Sequence, residues 1–168
     1  EDLVAAHLLE RGPRGVRARV ELVVHRDLLL AHDRYEAERG DDLAPDHVLG
    51  TNAPALLLDC LTVRRPVEEC LDLGCGGGVQ SFRAARHSGR VVGVDKNPRA
   101  LAFFELNARL NGVRNAFTLE GDLFAPVAGR RFGLVVSNPP YVISPDNRFI
   151  FMDSGRPGDT ICAEARKA

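Results

Sequence analysis

The four residues Asn138, Pro139, Pro140 and Tyr141 form the most specific chemical pattern in the sequence. They follow an apolar stretch at 134–136 that is typical of a buried strand. Two consecutive prolines stiffen the backbone and remove two N–H donors, so nearby carbonyls stay free to accept hydrogen bonds. Asn138 adds a side-chain carbonyl and Tyr141 a flat aromatic face. The pattern suits a planar nitrogen whose N–H bonds are held by acceptors and whose lone pair is aimed at an electrophile.

A second pattern is a glycine-rich loop at 74–78, directly after a predicted strand at 67–73. Glycines allow a tight turn and let a ligand approach the backbone closely. Asp72 stands two residues before the first glycine, where its carboxylate can meet the amino group of an amino-acid-like cofactor. Val79 occupies the last glycine position of the dinucleotide fingerprint GxGxxG, which disfavours pyrophosphate binding.

Acidic residues follow the next two predicted strands. Asp95 comes after the strand at 91–94, 21 residues beyond Gly74, and a carboxylate at this distance can accept both ribose hydroxyls of an adenosine. Asp122 follows the strand at 116–119 and can accept a hydrogen bond from an adenine amino group, with Leu123 or Phe124 against the ring. Capping of a turn by Asp122 is the structural alternative.

The elements that must position these residues alternate between strand and helix from residue 46 onward. Helices are predicted from 52 to 61, from 79 to 87 with Gly89 as the stop, and from 97 to 111. The alternation predicts right-handed crossovers and an α/β fold with a Rossmann-like, doubly wound parallel sheet. Ligands of such sheets bind beyond the carboxyl ends of the strands, where the patterns above stand.

Residues 1–45 predict a small α+β appendage and linker in front of this domain at 46–168. A short helix is predicted over 2–10, a strand over 16–24, a turn at 25–27 and a returning strand over 28–32, with a linker over 39–45. The arginine-rich hairpin fits either the end of a winged-helix module or an α/β cap on the next domain. We favour the cap.

The composition excludes several classes of protein. Among 168 residues, 22 basic and 23 acidic side chains give a net charge of −1, so bulk charge gives no case for nucleic-acid binding, although a local patch stays open. No apolar run approaches the about 20 residues of a membrane span, and no signal peptide is visible. Four cysteines without a CxxC pair favour reduced cytoplasmic thiols. We expect no metal, no membrane association and a cytoplasmic location.

Together, the four strand ends resemble class I S-adenosylmethionine-dependent methyltransferases over residues 46–143, and weakly to 168. The segment 138–141 resembles the amino-methylating branch, which includes release-factor glutamine, adenine DNA and ribosomal RNA methyltransferases. The resemblance implies S-adenosylmethionine as cofactor and S-adenosylhomocysteine as product. It assigns to the cofactor Asp72, Gly74, Cys75, Gly76, Gly78, Asp95, Lys96, Asp122, Leu123 and Asn138, and to catalysis Asn138, Pro139, Pro140 and Tyr141.

The sheet of this family has further strands beyond the fourth, and the sequence stops near the helix that follows it. We therefore expect the C-terminal strands to be missing, because the sequence is a fragment or because a partner chain completes the sheet. An uncovered sheet edge is an aggregation liability. We favour the fragment, since residue 1 is not a methionine.

The favoured hypothesis is an N-methyltransferase that acts on an exocyclic amide or amine nitrogen. The acceptor stays open between a protein glutamine, a nucleic-acid base and a small metabolite. The alternative is a non-catalytic nucleic-acid-binding module with a relic cofactor fold. A dinucleotide-dependent oxidoreductase is less favoured, because Val79 breaks the glycine fingerprint and Asn138 begins a motif that such enzymes do not need.

Overall fold

The computed structural model describes residues 4, 8–13, 15–35, 43–142, 148–152, 156 and 160–165. The strands of this part of the chain are β1 Leu9–Gly12, β2 Gly15–Ala18, β3 Val20–His25, β4 Leu28–Asp33, β5 Val67–Leu73, β6 Ser88–Asp95, β7 Ala116–Glu120 and β8 Leu134–Ser137. The α-helices are α1 Ala53–Leu61, α2 Val79–Ala84, α3 Pro98–Leu110 and α4 Thr160–Ala165, and a 3-10 helix, Ala125–Val127, lies between β7 and β8.

Strands β5 to β8 form one parallel sheet in the order β7-β6-β5-β8. The chain leaves β5 for β6 on one side and later enters β8 on the other, so a topological switch point lies at the carboxyl end of β5. The pairing sets Asp95 level with Glu120, and Leu73 level with Ser137. All four strand ends therefore meet along one edge, and the predicted α/β fold is confirmed.

The second half of the central strand β5, residues 70–73, is buried on both faces. Leu71 and Leu73 pack on one face of the sheet, and Cys70 packs on the other. All three side chains are 0–1% exposed. A one-residue slip in register would exchange these faces, so the packing fixes where the strand ends.

Helices α1 and α3 begin where the sequence predicts, each with an asparagine cap and a proline in the first turn. Asn52 Oδ1 accepts from Ala55 N at 3.0 Å, and Asn97 Oδ1 accepts from Arg99 N at 3.0 Å. Asn97 Nδ2 also donates to Asp46 O at 2.8 Å. This bond ties the loop in front of α1 to the start of α3.

The predicted end of α2 is wrong. The helix ends at Ala84 instead of His87, and Gly89, predicted to stop it, lies inside β6. Residues 88–90 pair with 67–69 of β5 instead of continuing the helix. A Cβ on Gly89 would stand 2.9 Å from Glu68 O, so the glycine is needed for the close approach of two strands.

The N-terminal region also departs from prediction. Leu9 and Glu10 belong to strand β1 and not to a helix, while 1–3 and 5–7 lie outside the described residues. The strand predicted over 16–24 is divided at Arg19, whose N–H donates to Leu8 O at 2.9 Å and whose carbonyl accepts from Arg34 N at 2.9 Å. Strand β2 therefore pairs with β1, and β3 pairs with β4. Most of the predicted linker lies outside the described residues.

The β3–β4 hairpin turns at residues 26–27 as predicted and packs on the helical layer. Leu28 and Leu30 share one buried cluster with Phe82 of α2 and Phe104 of α3, whose rings are 4.8 Å apart. The hairpin therefore packs against the helices that cover the parallel sheet.

Candidate functional site

The four carboxyl ends of the sheet open into one cleft of about 180 Å³. Its walls come from the loops after β5, β6, β7 and β8, together with the segment before α1. The lining includes most of the residues predicted for the site, which are Asp72, Gly74, Cys75, Gly76, Asp95, Lys96, Asp122, Leu123, Asn138 and Pro140. Gly78, Pro139 and Tyr141 do not line it.

The glycine loop needs its glycines for two different reasons. Gly74 and Gly76 have φ of +72° and +52°, which a side chain rarely adopts, and they face the cleft. Gly78 has φ of +94°, but a Cβ there would lie 2.4 Å from the Phe82 ring. Position 78 must therefore be glycine because Phe82 packs against it beneath the cleft.

Asn107 of α3 holds this loop in place from below. Its Oδ1 accepts from Ala31 N at 2.7 Å, while its Nδ2 donates to Ala31 O at 3.0 Å and to Gly77 O at 2.9 Å. One buried amide thus joins the hairpin, α3 and the loop. A fully satisfied buried amide fixes backbone positions closely, so the loop is preorganised.

Asp72, at the end of β5, is a buried carboxylate with no cationic partner among the described residues. It is 1% exposed and accepts a hydrogen bond from Ser81 Oγ at 2.6 Å. Burial raises the pKa of Asp72 to about 6, because the Ser81 bonds only partly offset desolvation and Asp95 adds a like charge. A ligand cation at this position would stabilise the charged form.

Asp95, at the end of β6, links two of the loops. Its Oδ2 accepts from Gly76 N at 2.8 Å and its Oδ1 from Asn97 N at 2.9 Å. Burial raises the pKa of Asp95, and the backbone hydrogen bonds oppose this shift. Each carboxylate oxygen keeps lone-pair capacity for further donors, so the side chain can still accept from a diol. The neighbouring Lys96 is exposed.

The loop after β7 presents Asp122 and Leu123 in a strained turn. Gly121 has φ of +156° and lies against Pro126, and Leu123 has φ of +49°. A leucine in the left-handed region costs about 1–3 kcal/mol and is typical of functional loops. Asp122 is exposed, and its Oδ2 pairs with Arg156 Nη2 at 2.5 Å. Arg156 also pairs with Glu164.

The segment after β8 supplies the last wall. Ser137 Oγ donates to Leu73 O at 2.9 Å, which joins β8 to β5. The Asn138 side chain lines the cleft, and no residue of the described ranges forms a hydrogen bond with it. Tyr141 is 53% exposed beside the cleft. Val142 N donates to Met152 O at 2.9 Å, which brings Ile150 and Phe151 back to the cleft.

The sequence reasoning missed several residues of the cleft. His47 is 5% exposed, and the centroid of its ring lies 6.0 Å from that of the Phe151 ring. Its Nε2 has no hydrogen-bond partner among the described residues. Burial lowers the pKa of His47, so the ring is neutral at neutral pH. Gln80 also lines the cleft. His47 stands in an irregular loop with no periodic signal, and Gln80 is one of three polar residues in the six-residue helix α2. The other missed lining residues are Val48, Leu49, Gly50, Asn52, Ala55, Gly77, Val79, Val94, Asn97, Ala100, Gly121, Ile150 and Phe151.

The described residues contain no group of three or more histidine, cysteine or carboxylate side chains that could hold a metal ion. No helix within the described ranges is long and apolar enough to cross a membrane.

The sheet order, the glycine loop and the acidic strand ends define a Rossmann-like domain of the class I methyltransferase type. Residues 50–152 match the model of the methyltransferase small domain family, and the chain belongs to that family. The solved structure of a T. thermophilus 16S rRNA N2 G1207 methyltransferase aligns with 89% of this chain and 47% of its own, at a TM-score of 0.55 and 20% identity. At that identity the likeness supports the fold alone.

Curated relatives match shorter stretches at higher identity. The release factor glutamine methyltransferase of Geobacter sulfurreducens is 41% identical over 78 residues, which cover 45% of this chain and 27% of that protein. The ribosomal protein L11 methyltransferase of Thermus thermophilus is 45% identical over 74 residues, which cover 44% of this chain and 29% of that protein. The aligned part of the chain thus spans only about a third or less of these relatives.

Proposed function

We propose that this chain forms the cofactor-binding and acceptor-orienting part of an S-adenosylmethionine-dependent N-methyltransferase. The observation that carries the proposal is the convergence of Asp72, Asp95, Asp122 and Asn138 at one cleft. Each follows a different strand of one parallel sheet, and the chemistry of each side chain suits a different part of the cofactor or the acceptor.

The residues of the cleft fit the cofactor. Asp72 is a buried carboxylate with no cationic partner in the part of the chain that the structure describes, and it suits the ammonium group of the methionine moiety. Asp95 keeps acceptor capacity for the ribose hydroxyls, and Asp122 can accept from the adenine amino group, with Leu123 against the ring. Gly74, Cys75, Gly76 and Lys96 complete this side of the cleft, while Gly78 supports it from beneath. When bound, the cofactor supplies an activated methyl group.

The segment after β8 is assigned to the acceptor. The Asn138 side chain and the Pro139 carbonyl accept the N–H hydrogens of the acceptor nitrogen, while Pro140 keeps the backbone rigid and Tyr141 packs against the acceptor. Holding these hydrogens favours a pyramidal nitrogen with its lone pair directed away from them. Positioning and preorganised acceptors then supply most of the catalysis that the chain itself contributes.

The acceptor class is an exocyclic amide or amine in a protein glutamine, a nucleic-acid base or a small metabolite. The relatives are named for methylation of release factor glutamine, ribosomal protein L11 and ribosomal RNA. A cytoplasmic location is part of the proposal, since Cys60, Cys70 and Cys75 are free thiols. A purely nucleic-acid-binding role is disfavoured, because it would need neither the buried Asp72 nor the glycine loop.

Transfer of a labelled methyl group tests this proposal. The chain is incubated with labelled S-adenosylmethionine and separate protein, RNA, DNA and small-metabolite fractions of a bacterial extract. We expect incorporation into one fraction, and we expect Asn138→Ala to abolish it while S-adenosylhomocysteine affinity stays within several-fold. Unchanged incorporation by Asn138→Ala would contradict the acceptor role of this residue.

A further inference from the structure

The side-chain amide of Gln80 is buried in the wall of the cleft with one polar atom unused. Gln80 stands in the first turn of α2 and is 7% exposed. Its Nε2 donates to Ala55 O at 2.7 Å. Because a carbonyl accepts only from a donor, this bond assigns the amide nitrogen to Ala55 and identifies the other atom as Oε1. Oε1 has no hydrogen-bond partner in the described part of the chain.

A buried carbonyl oxygen without a donor is unfavourable, and native proteins keep few of them. Gln80 lines the cleft, so a ligand there can supply the missing donor. The bond to Ala55 holds the amide in one orientation. Both features are those of a preorganised binding group.

The position of Gln80 identifies which part of a ligand it faces. The next residue, Ser81, donates to Asp72 at the end of β5, and Ala55 belongs to α1, which contacts α2. Asp122 stands at the end of β7, which α3 covers, whereas α2 packs against β5 and β6. Gln80 therefore shares the β5 end of the cleft with Asp72.

We propose that Gln80 is a cofactor-binding residue whose Oε1 accepts a hydrogen bond from the ammonium group of S-adenosylmethionine. The assignment rests on the proposed function. An ammonium group carries three donors and no acceptor, so it needs a site built from acceptors. Asp72 supplies the opposite charge and Gln80 a neutral oxygen. The cofactor's other donors, the ribose hydroxyls and the adenine amino group, belong to the β6 and β7 ends in the proposed arrangement.

Calorimetric titration of the whole chain with three ligands tests this assignment. The ligands are S-adenosylhomocysteine, its analogue without the amino group, and 5′-methylthioadenosine, which lacks the amino-acid part. We expect Gln80→Met, which keeps the length of the side chain, to weaken S-adenosylhomocysteine binding about tenfold, as loss of a charge-assisted hydrogen bond does. Affinities for the two ligands without the ammonium group stay within about twofold, since they never made the bond.

Ser88→Ala is the matched control. Ser88 Oγ is also buried and without a partner among the described residues, but Ser88 does not line the cleft, so its removal leaves all three affinities unchanged. If Gln80→Met lowered the affinity for all three ligands equally, or for none of them, the role of Gln80 would be overturned. Failure of the wild type to bind S-adenosylhomocysteine would overturn the proposed function itself, and this assignment with it.

Discussion

Two pairs of aspartates in this molecule have opposite electrostatic surroundings. Asp33 and Asp59 lie where the N-terminal hairpin meets the helices, and arginines surround them. Asp72 and Asp95 lie at the strand ends in the cleft, and within the described ranges neither forms an ion pair. Asp33, Asp59 and Asp72 are buried and Asp95 is half-buried, so the presence or absence of a cation distinguishes the pairs more clearly than burial does.

The hairpin pair is neutralised within the chain. Asp59 accepts from Arg26 Nε at 2.8 Å, from Arg83 Nε at 3.0 Å and from Arg64, and His25 Nε2 is 3.2 Å away. Burial would raise the pKa of Asp59, but these donors outweigh it and the net shift is downward. The pKa of Asp33 is lowered in the same way, because bonds from Arg99 and Val48 N–H overcome desolvation.

The cleft pair is left unneutralised. Among the described residues, Asp72 and Asp95 accept only from a hydroxyl or from backbone N–H groups, and burial raises the pKa of both. A fold retains such carboxylates at a cost to its own stability, and perturbed pKa values of this kind cluster at functional sites. Asp33 and Asp59 therefore hold the hairpin in place, whereas under the proposed function Asp72 and Asp95 accept hydrogen bonds from a ligand.

The largest expected effect is on stability, at Asp59. Asp59→Asn leaves several arginines around a neutral amide and should lower the free energy of unfolding by about 2–4 kcal/mol, since removing one partner of a buried ion pair is strongly destabilising. Because the pKa of Asp59 is lowered, this contribution is present above its unfolded pKa and is lost as pH falls through the folded value. Urea denaturation at pH 7 and pH 3 measures it. Equal stability of the two proteins at pH 7 would remove Asp59 from the hairpin contact.

The effect of Asp72→Asn on the free energy of unfolding should depend on pH in the opposite direction to that of Asp59→Asn. The pKa of Asp72 is raised to about 6, so its contribution is favourable below the unfolded pKa and is lost as pH rises through 6. Between pH 4 and pH 8, the difference in unfolding free energy should move by about 2–3 kcal/mol in favour of the variant. Denaturation curves for both proteins at the two pH values test this. A pH-independent difference would show that Asp72 does not titrate near pH 6.

Cofactor binding should depend on pH through the same group. Only ionised Asp72 attracts an ammonium group, and at pH 5 about a tenth of it is ionised if its pKa is about 6. The affinity of the wild type for S-adenosylhomocysteine should therefore fall about tenfold from pH 7.5 to pH 5. Calorimetry across this range measures the change, and Asp72→Asn should lack it. An equal fall in the variant would assign the pH dependence to another group.

The smallest effect concerns Arg156, which pairs with Asp122 at the far end of the cleft. Both side chains are partly exposed, so the pair is weak. Arg156→Ala should release Asp122 for the adenine amino group and tighten S-adenosylhomocysteine binding by about two- to threefold. Fluorescence or calorimetric titration can resolve this change. Weaker binding in the variant would indicate that Arg156 supports the cleft instead of competing with its ligand.

The sequence was sufficient for the parts of the fold with local signals. The caps Asn52 and Asn97, the buried strand β5 and the glycine loop all carry their information within a few residues. The predicted end of α2 is wrong because Gly89 is a glycine for its close contact with Glu68 on the neighbouring strand. A local sequence pattern does not reveal such a contact. Strand β1 was missed because Leu9 pairs with Ala18 across a turn, while its apolar spacing also suits a helix.

The residues of the candidate site also fall into those that local sequence patterns predict and those that only tertiary packing reveals. The strand ends Asp72, Asp95, Asp122 and Asn138 follow recognisable strands, and the sheet brings all four to one cleft. His47 and Gln80 enter it through tertiary packing of an irregular loop and a short helix. Their unpartnered atoms can be found only once the neighbouring atoms are known.

Calorimetric titration with S-adenosylhomocysteine, for the wild type and Asp72→Asn with NAD as the control ligand, tests the central claim most directly. The account predicts micromolar binding of S-adenosylhomocysteine to the wild type, none of NAD, and an affinity about a hundredfold lower in Asp72→Asn, because a charge-assisted bond to the ammonium group is lost. Binding of equal strength to the wild type and the variant would contradict the claim that Asp72 is kept without a cation in order to bind one.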